Sequence, residues 1–316
     1  MFGTYAHASG PSAARPAATV PARLAAAVGP EAVPPPLLML LGMVSTQVGA
    51  AIAKQLFTAT SSGGTTALRL GFGALVLLAV ARPTLRLGLR TAGVVAGFGV
   101  AMAGMNLAFY AALERVPLGV AVTIGFTGPL LVSLITSRRT RDLGWVVLAG
   151  AGVALLAGIV GGPGAGAGNA GAGLDGVALL LCGVVALGWA GYVLLGKVVS
   201  SQLGSGRGLA LGMAVGAVCV LPFGIADSGT RLLDPWTLTL GLGVALLSSV
   251  LPYSAEMAAL RRMPARVFAV LLSLEPAVAA LVGVTLLHET LGWLQLLGIA
   301  CVVGASLGAI LKRPAG

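Results

Sequence analysis

Residues 111–129, AALERVPLGVAVTIGFTGP, and residues 258–276, AALRRMPARVFAVLLSLEP, repeat one pattern at a shift of 147 positions, from 111 to 258. Ala111-Ala112-Leu113 falls on Ala258-Ala259-Leu260, Arg115 on Arg262, Pro117 on Pro264, Val120 on Val267 and Pro129 on Pro276. Apolar composition alone does not hold two prolines in register, so the chain carries an internal repeat. Each copy also opens an apolar segment long enough to cross a bilayer. What the two segments belong to therefore decides the fold.

Around them the 316 residues are 57% hydrophobic and only 9% charged, with a mean hydropathy of +1.00. An average soluble domain is about 45–50% apolar and 25% charged. So few charges cannot cover a water-exposed surface, which excludes a soluble globule. Ten apolar segments follow one another: 36–57, 64–82, 91–112, 118–136, 143–160, 175–196, 208–226, 236–259, 265–287 and 291–311. The repeated pattern opens the fourth and the ninth, so each copy belongs to a half of five spans. An odd number forces the halves to enter the membrane in opposite senses. The expected fold is an all-α membrane protein with ten transmembrane helices in two inverted five-helix repeats, 36–160 and 175–311. An external Gly/Ala linker, 161–174, joins them. Residues 1–35, rich in Ala, Pro and Gly, read as a disordered cytoplasmic tail that is retained, because no charged segment leads into a hydrophobic core and cleavage site. Residues 312–316 form a cytoplasmic C-terminus. Inverted repeats of this kind are a transporter architecture, with the substrate site between the halves near the midplane.

The net charge of +10 does not indicate nucleic acid, because the 19 basic residues fall in short groups between apolar runs and form no continuous basic face. With the N-terminus inside, 15 of them lie in cytoplasmic segments, only Arg115 and Arg231 lie outside, and Lys54 and Arg69 lie within helices. The positive-inside rule thus puts both termini in the cytoplasm. Trp145, Trp236 and Trp293 stand at helix starts, as interfacial anchors do. Cys182, Cys219 and Cys301 lie far apart in apolar runs and read as small buried hydrophobes. His288-Glu289 lacks the second histidine of a zinc motif, since Gly292 stands there. No metal site, cofactor, nucleotide loop or catalytic set is indicated.

The stretch Val116–Arg139, VPLGVAVTIGFTGPLLVSLITSRR, and the stretch beginning at Leu251, LPYSAEMAALRRMPARVFAVLLSLEPAVAALVGVTLLHETLG, resemble the bacterial threonine and homoserine exporters of the EamA branch of the drug/metabolite transporter superfamily. The resemblance covers residues from about 36 to 311, most specifically in these two stretches. It implies ten helices in two inverted halves and an inner-membrane exporter of a small amino acid, driven by proton antiport. Export of another metabolite or of a drug-like cation stays open, as does a non-transporting membrane scaffold. The family pattern commonly carries an acidic residue before Phe126-Thr127-Gly128-Pro129, where this chain has Gly125.

Glu275 is the sharpest functional candidate, near the middle of the ninth span and directly before Pro276. A charged residue at the centre of a membrane helix costs at least about 2.5–3.5 kcal/mol by insertion scales. Glu275 must therefore face a wet cavity, hold a proton, or pair with Arg69 or Lys54; the second role would make it the proton-coupling group. Pro276 removes a backbone donor and frees a carbonyl one turn earlier, and with Pro129 it is a candidate hinge. Glu256 could bind substrate or reach Arg261 or Arg262 at the interface. Gln47, Asn106, Tyr110, Thr127, Trp189, Tyr192 and Tyr253 are polar groups able to orient a small ligand or to bond between helices. Lys54 and Arg69 are expected to snorkel outward, or to hold a carboxylate at an external gate. Gly208, Gly212 and Gly216, like Ala300, Gly304 and Gly308, form small-residue faces for close packing, and the second of these could seat a homodimer. The basic asymmetry makes a direct prediction. Alkaline phosphatase fused after Gly316 should be inactive in cells that secrete the same fusion in active form from a point near Arg231; activity at Gly316 would reverse the topology.

Overall fold

The computed structural model describes residues 33–83, 86–137, 143–156, 174–260, 262–263 and 265–311. The tail through residue 32, the Gly/Ala linker through residue 173, the C-terminus 312–316 and the basic residues Arg138, Arg139, Arg141 and Arg261 lie outside the described residues. Every regular element among the described residues is helical: α1 (Pro35–Ala81), α2 (Leu89–Leu113), α3 (Leu118–Ser137), α4 (Leu143–Leu156), α5 (Gly176–Leu203), α6 (Ser205–Ser228), a 3-10 turn (Gly229–Leu233), α7 (Pro235–Ala245), a π-helical turn (Leu246–Val250), α8 (Leu251–Leu260), α9 (Ala265–Leu272), α10 (Glu275–Leu286) and α11 (Trp293–Leu311). Among the described residues, five stretches are long and apolar enough to cross a membrane: Pro35–Ala81, Leu89–Leu113, Gly176–Leu203, Gly206–Leu233 and Pro235–Tyr253. Leu75, Leu180, Leu187, Val218 and Phe223 are all more than half exposed, a surface suited to lipid. Trp236 and Trp293 are exposed at their helix starts, whereas the Trp145 ring lies against Gly308 of α11.

α1 has 47 residues, which would reach about 70 Å if straight, more than twice the hydrocarbon thickness of about 30 Å. It is not straight. Ser45 Oγ donates to the Leu247 carbonyl at 2.7 Å and Arg69 Nη2 donates to the Ser248 carbonyl at 3.0 Å. A straight helix would hold those two donors about 36 Å apart, yet they meet adjacent residues. The chain therefore folds back on itself, and it does so at Ser61, whose φ of 59° and ψ of 169° are non-helical. The turn is closed by polar groups. Ser61 Oγ caps the second arm by accepting from the Gly64 amide at 3.2 Å. Thr65 donates to the Ser61 carbonyl at 2.8 Å, and Ser228 Oγ bonds both the Thr60 carbonyl and Ser61 Oγ. The segments 36–57 and 64–82 read from the sequence are the two arms.

Two further irregularities follow. α7, the π-helical turn and α8 form one helical run from Pro235 to Leu260, widened at Leu246–Val250. The expected segment 265–287 is instead broken between α9 and α10 at Ser273 and Leu274, where the Leu274 amide donates to the Leu271 carbonyl at 2.9 Å. Pro276 falls in the first turn of α10, where its missing N–H leaves no helical bond unmade. Its register partner behaves differently: Pro129 sits inside α3, which continues through it.

Glycines set the helix separations at the contacts that hold this arrangement. Gly212 packs on the Phe98 ring and Gly216 lies against Gly99 and Ala103, so the small face of α6 is spent on α2. Gly152 and Gly298 bring α4 and α11 together. On α11, Gly308 packs on Trp145 while Gly304 faces open space. A Cβ on Gly128 would overlap the Ala186 carbonyl of α5. Gly128→Ala should therefore force α3 and α5 apart and cost about 1–3 kcal/mol, read as a lower Tm of the detergent-solubilised protein. Gly71→Ala, where an added Cβ meets nothing within 4 Å, should leave Tm unchanged or raise it slightly.

Candidate functional site

The three irregularities converge on one cavity of about 250 Å³. The arms of α1 supply Thr46, Gln47 and Arg69, α2 supplies Asn106 and Phe109, and α5 supplies Trp189 and Tyr192. The widened run contributes Ser248, Tyr253 and Glu256, and the broken one Phe268, Leu272 and Glu275. Seven of the nine substrate-binding and proton-coupling candidates read from the sequence thus share one space: Gln47, Asn106, Trp189, Tyr192, Tyr253, Glu256 and Glu275. Tyr110 and Thr127 do not line it. Tyr110 is fully buried behind Arg69, whose Nη1 donates to its hydroxyl at 3.3 Å, and Thr127 donates to the Ile124 carbonyl of its own helix at 2.6 Å.

The helix break explains the position of Glu275. Residues 273–274 interrupt the helical ladder, and the side chain of the first residue of α10 faces inward, 9% exposed. Gln47 reaches it from the first arm of α1, its Nε2 donating to Glu275 Oε1 at 3.4 Å. The Gln47 Oε1 atom is buried with no hydrogen-bond partner. Glu256 is half-buried and lines the cavity without an ion pair to Arg69 or Lys54, and of the two interfacial partners expected of it Arg261 lies outside the described residues. A second space of about 170 Å³, lined by Phe98, Gly196, Ser200, Tyr253 and Glu256, continues from there toward the ends of α5 and α8. Aromatic rings form the wall between: Tyr192 stacks on Phe98 at 5.1 Å and lies 6.5 Å from Tyr253, while Phe126 meets Trp189 edge-on at 5.7 Å.

Arg69 corrects the expectation that it snorkels outward. It is 7% exposed and turned into the cavity, and the π-helical turn holds it there. The turn presents the Ser248 carbonyl to Nη2 at 3.0 Å and the Ser249 hydroxyl to Nε at 3.3 Å. Such turns recur where function requires a displaced backbone. Neither Arg69 nor Lys54 pairs with Glu275. Lys54 Nζ instead meets Glu289 Oε1 at 2.7 Å, and Glu289 Oε2 accepts the Leu118 amide at 2.8 Å. This latch joins α1, the start of α3 and the loop after α10, above a packed layer of Leu113, Leu118, Val120 and Ala279. That layer borders the cavity, because Ala50 and Val122 belong to both. Sequence reading missed Glu289 because it looked for a metal motif at His288, and the available signal was an acidic residue alone between two apolar segments.

Comparison with known proteins agrees with this architecture. Residues 176–311 match the EamA-like transporter family. The threonine/homoserine exporter RhtA of Escherichia coli strain K12 is 41% identical over 282 residues, 88% of this chain and 91% of that protein. The threonine/homoserine exporter RhtA of Salmonella typhimurium strain SL1344 is 41% identical over 278 residues, with the same coverage. A solved protein structure that is 19% identical superposes with a TM-score of 0.53 over 87% of this chain and 96% of its own, which shows a shared fold. The chain belongs to the EamA-like transporter family and is a transporter, not an enzyme. The latch makes an asymmetric prediction. Glu289→Leu should lower Tm more than Lys54→Met, because Glu289 serves both Lys54 and the Leu118 amide, each a charge-assisted bond worth about 1.5–3 kcal/mol.

Proposed function

We propose that this transporter exports a small hydroxyl-bearing amino acid, threonine or homoserine, across the bacterial inner membrane in exchange for protons. The carrying observation is the cavity itself: about 250 Å³, with Glu275 at a helix break on its wall. That volume is below the roughly 300–1,000 Å³ of sites for drug-sized ligands, and it suits a small metabolite. The relatives named as threonine/homoserine exporters supply the substrate.

In this reading the chain spans the membrane ten times in two inverted halves, 36–160 and 175–311, with both termini cytoplasmic. The basic asymmetry supports the orientation. The reversal at Ser61 supports two spans within α1. Leu118 and Ala265, the first residues of α3 and α9, are themselves 147 positions apart, as the repeat requires. The latch of Lys54 and Glu289 then lies on the outer side, and the second space opens toward the cytoplasm past Glu256. The molecule is an inward-facing state of an alternating-access cycle.

Glu275 couples the two fluxes. Protonated, it is a neutral hydrogen-bonding group; ionised, it attracts a substrate ammonium, and substrate and proton compete for it. Pro276 and the break before it let α9 and α10 move separately, and Pro129 is the corresponding pivot in the first half. Gln47, Asn106, Trp189, Tyr192, Tyr253 and Glu256 shape the pocket, with Tyr110 and Thr127 supporting it from behind. A drug-like cation fits this cavity less well, because the fixed charge of Arg69 repels it. Glu275→Gln keeps size and hydrogen bonding but cannot titrate. In inverted vesicles it should insert normally, exchange labelled threonine downhill, and lose accumulation driven by an imposed proton gradient. Accumulation equal to the parent's would remove Glu275 from the coupling role.

A further inference from the structure

Arg69 carries a charge that its surroundings do not answer. A guanidinium stays protonated at any accessible pH and offers five N–H donors. Among the described residues its acceptors are the Tyr110 hydroxyl, the Ser249 hydroxyl and the Ser248 carbonyl, all neutral, and no carboxylate forms an ion pair with it. Two donors are left over, on a residue that lines the cavity. The same space is lined by Glu275 and by Gln47, whose Oε1 atom is a buried acceptor with no donor among the described residues. Counted along the helices, Arg69 is about 12 Å from the reversal at Ser61 and Glu275 about 17 Å from the end of α10, so both lie at mid-depth.

Donors left over on a planar cation match a planar anion, and an orphaned acceptor beside a carboxylate matches a cationic donor. A ligand carrying both groups on one small frame is an α-amino acid zwitterion. We propose that Arg69 receives the substrate's α-carboxylate and that Glu275 with Gln47 Oε1 receives its α-ammonium, so that the site recognises the amino-acid head group at two points of opposite charge. This rests on the transport reading above and adds the residue that selects the substrate class. The planar fork of Arg69 can accept both carboxylate oxygens, and its three neutral bonds fix it in place beforehand. The remaining wall, made of Phe109, Trp189 and Phe268, meets the side chain.

The test is competition against labelled L-threonine on the purified full-length protein. The competitors are homoserine, threoninol, in which a hydroxymethyl group replaces the carboxylate, and 3-hydroxybutyrate, which lacks the amino group. Threoninol and 3-hydroxybutyrate should each compete at least about tenfold more weakly than threonine, the loss expected for one charged hydrogen bond. In Arg69→Gln the threonine affinity should fall at least about tenfold while that for threoninol is unmoved, so the discrimination collapses; Arg69→Lys should keep part of it. Equal binding of threonine and threoninol by the parent protein overturns the proposal whether or not the variants fold. So does an Arg69→Gln protein that discriminates as the parent does. Should the parent ignore threonine and homoserine yet prefer other α-amino acids to their decarboxylated amines, the substrate assignment falls and the role of Arg69 stands. A parent that binds no amino acid overturns both.

Discussion

A charge held inside a bilayer must be answered by an opposite charge, by water or by a ligand, and the fold is organised around three ionisable side chains that no opposite charge among the described residues pairs with. Arg69, Glu256 and Glu275 line one cavity, yet they do not pair with one another, while Lys54 pairs with Glu289 and Arg115 with Asp175 elsewhere. Each of the three costs stability where it stands. Helical irregularity is spent on keeping them there. The π-helical turn aims Ser248 and Ser249 at Arg69, and the break at Ser273 and Leu274 places Glu275 at the head of α10.

Close packing elsewhere supports this expense. With lipid outside, helix association relies on van der Waals contact between small residues, and α2 with α6, α3 with α5, and α4 with α11 meet over glycine. The same packing makes the ends of the cavity unequal. At one end Leu113, Leu118 and Ala279 fill the space beneath the Lys54–Glu289 pair. At the other, Glu256 and Tyr253 line two neighbouring spaces at once. Under the alternating-access reading proposed above, exposing the cavity on that side would separate the Lys54–Glu289 pair and the apolar layer together, which suits a two-state transition between discrete arrangements.

Much of this was legible before any coordinates. Ten apolar runs, the repeated prolines and the lone Glu275 announced a helical membrane protein with a polar centre, and seven of the polar residues picked by type do share the cavity. What stayed hidden depends on direction and on backbone detail. Arg69 sits in an apolar run within reach of either a membrane surface or the interior, and periodicity in a helix apolar on all sides does not say which. The π-helical turn leaves no mark in LLSSV, because the shift of one residue preserves composition. Pro129 and Pro276 are equivalent in sequence, but the first rides inside a continuous helix and the second follows a break. The difference lies in their neighbours: Gly128 packs tightly on Ala186, while its counterpart Glu275 turns into open space.

The central claim is that substrate and proton compete for Glu275 in the shared cavity. It is tested most directly by following proton release when threonine is added to the purified protein in weakly buffered solution containing a pH indicator. The account predicts that binding releases a proton from the parent protein over a pH range in which Glu275 is partly protonated, and that Glu275→Gln binds threonine with no release. Threonine binding that releases no proton at any pH, or a release that persists undiminished in Glu275→Gln, would contradict it.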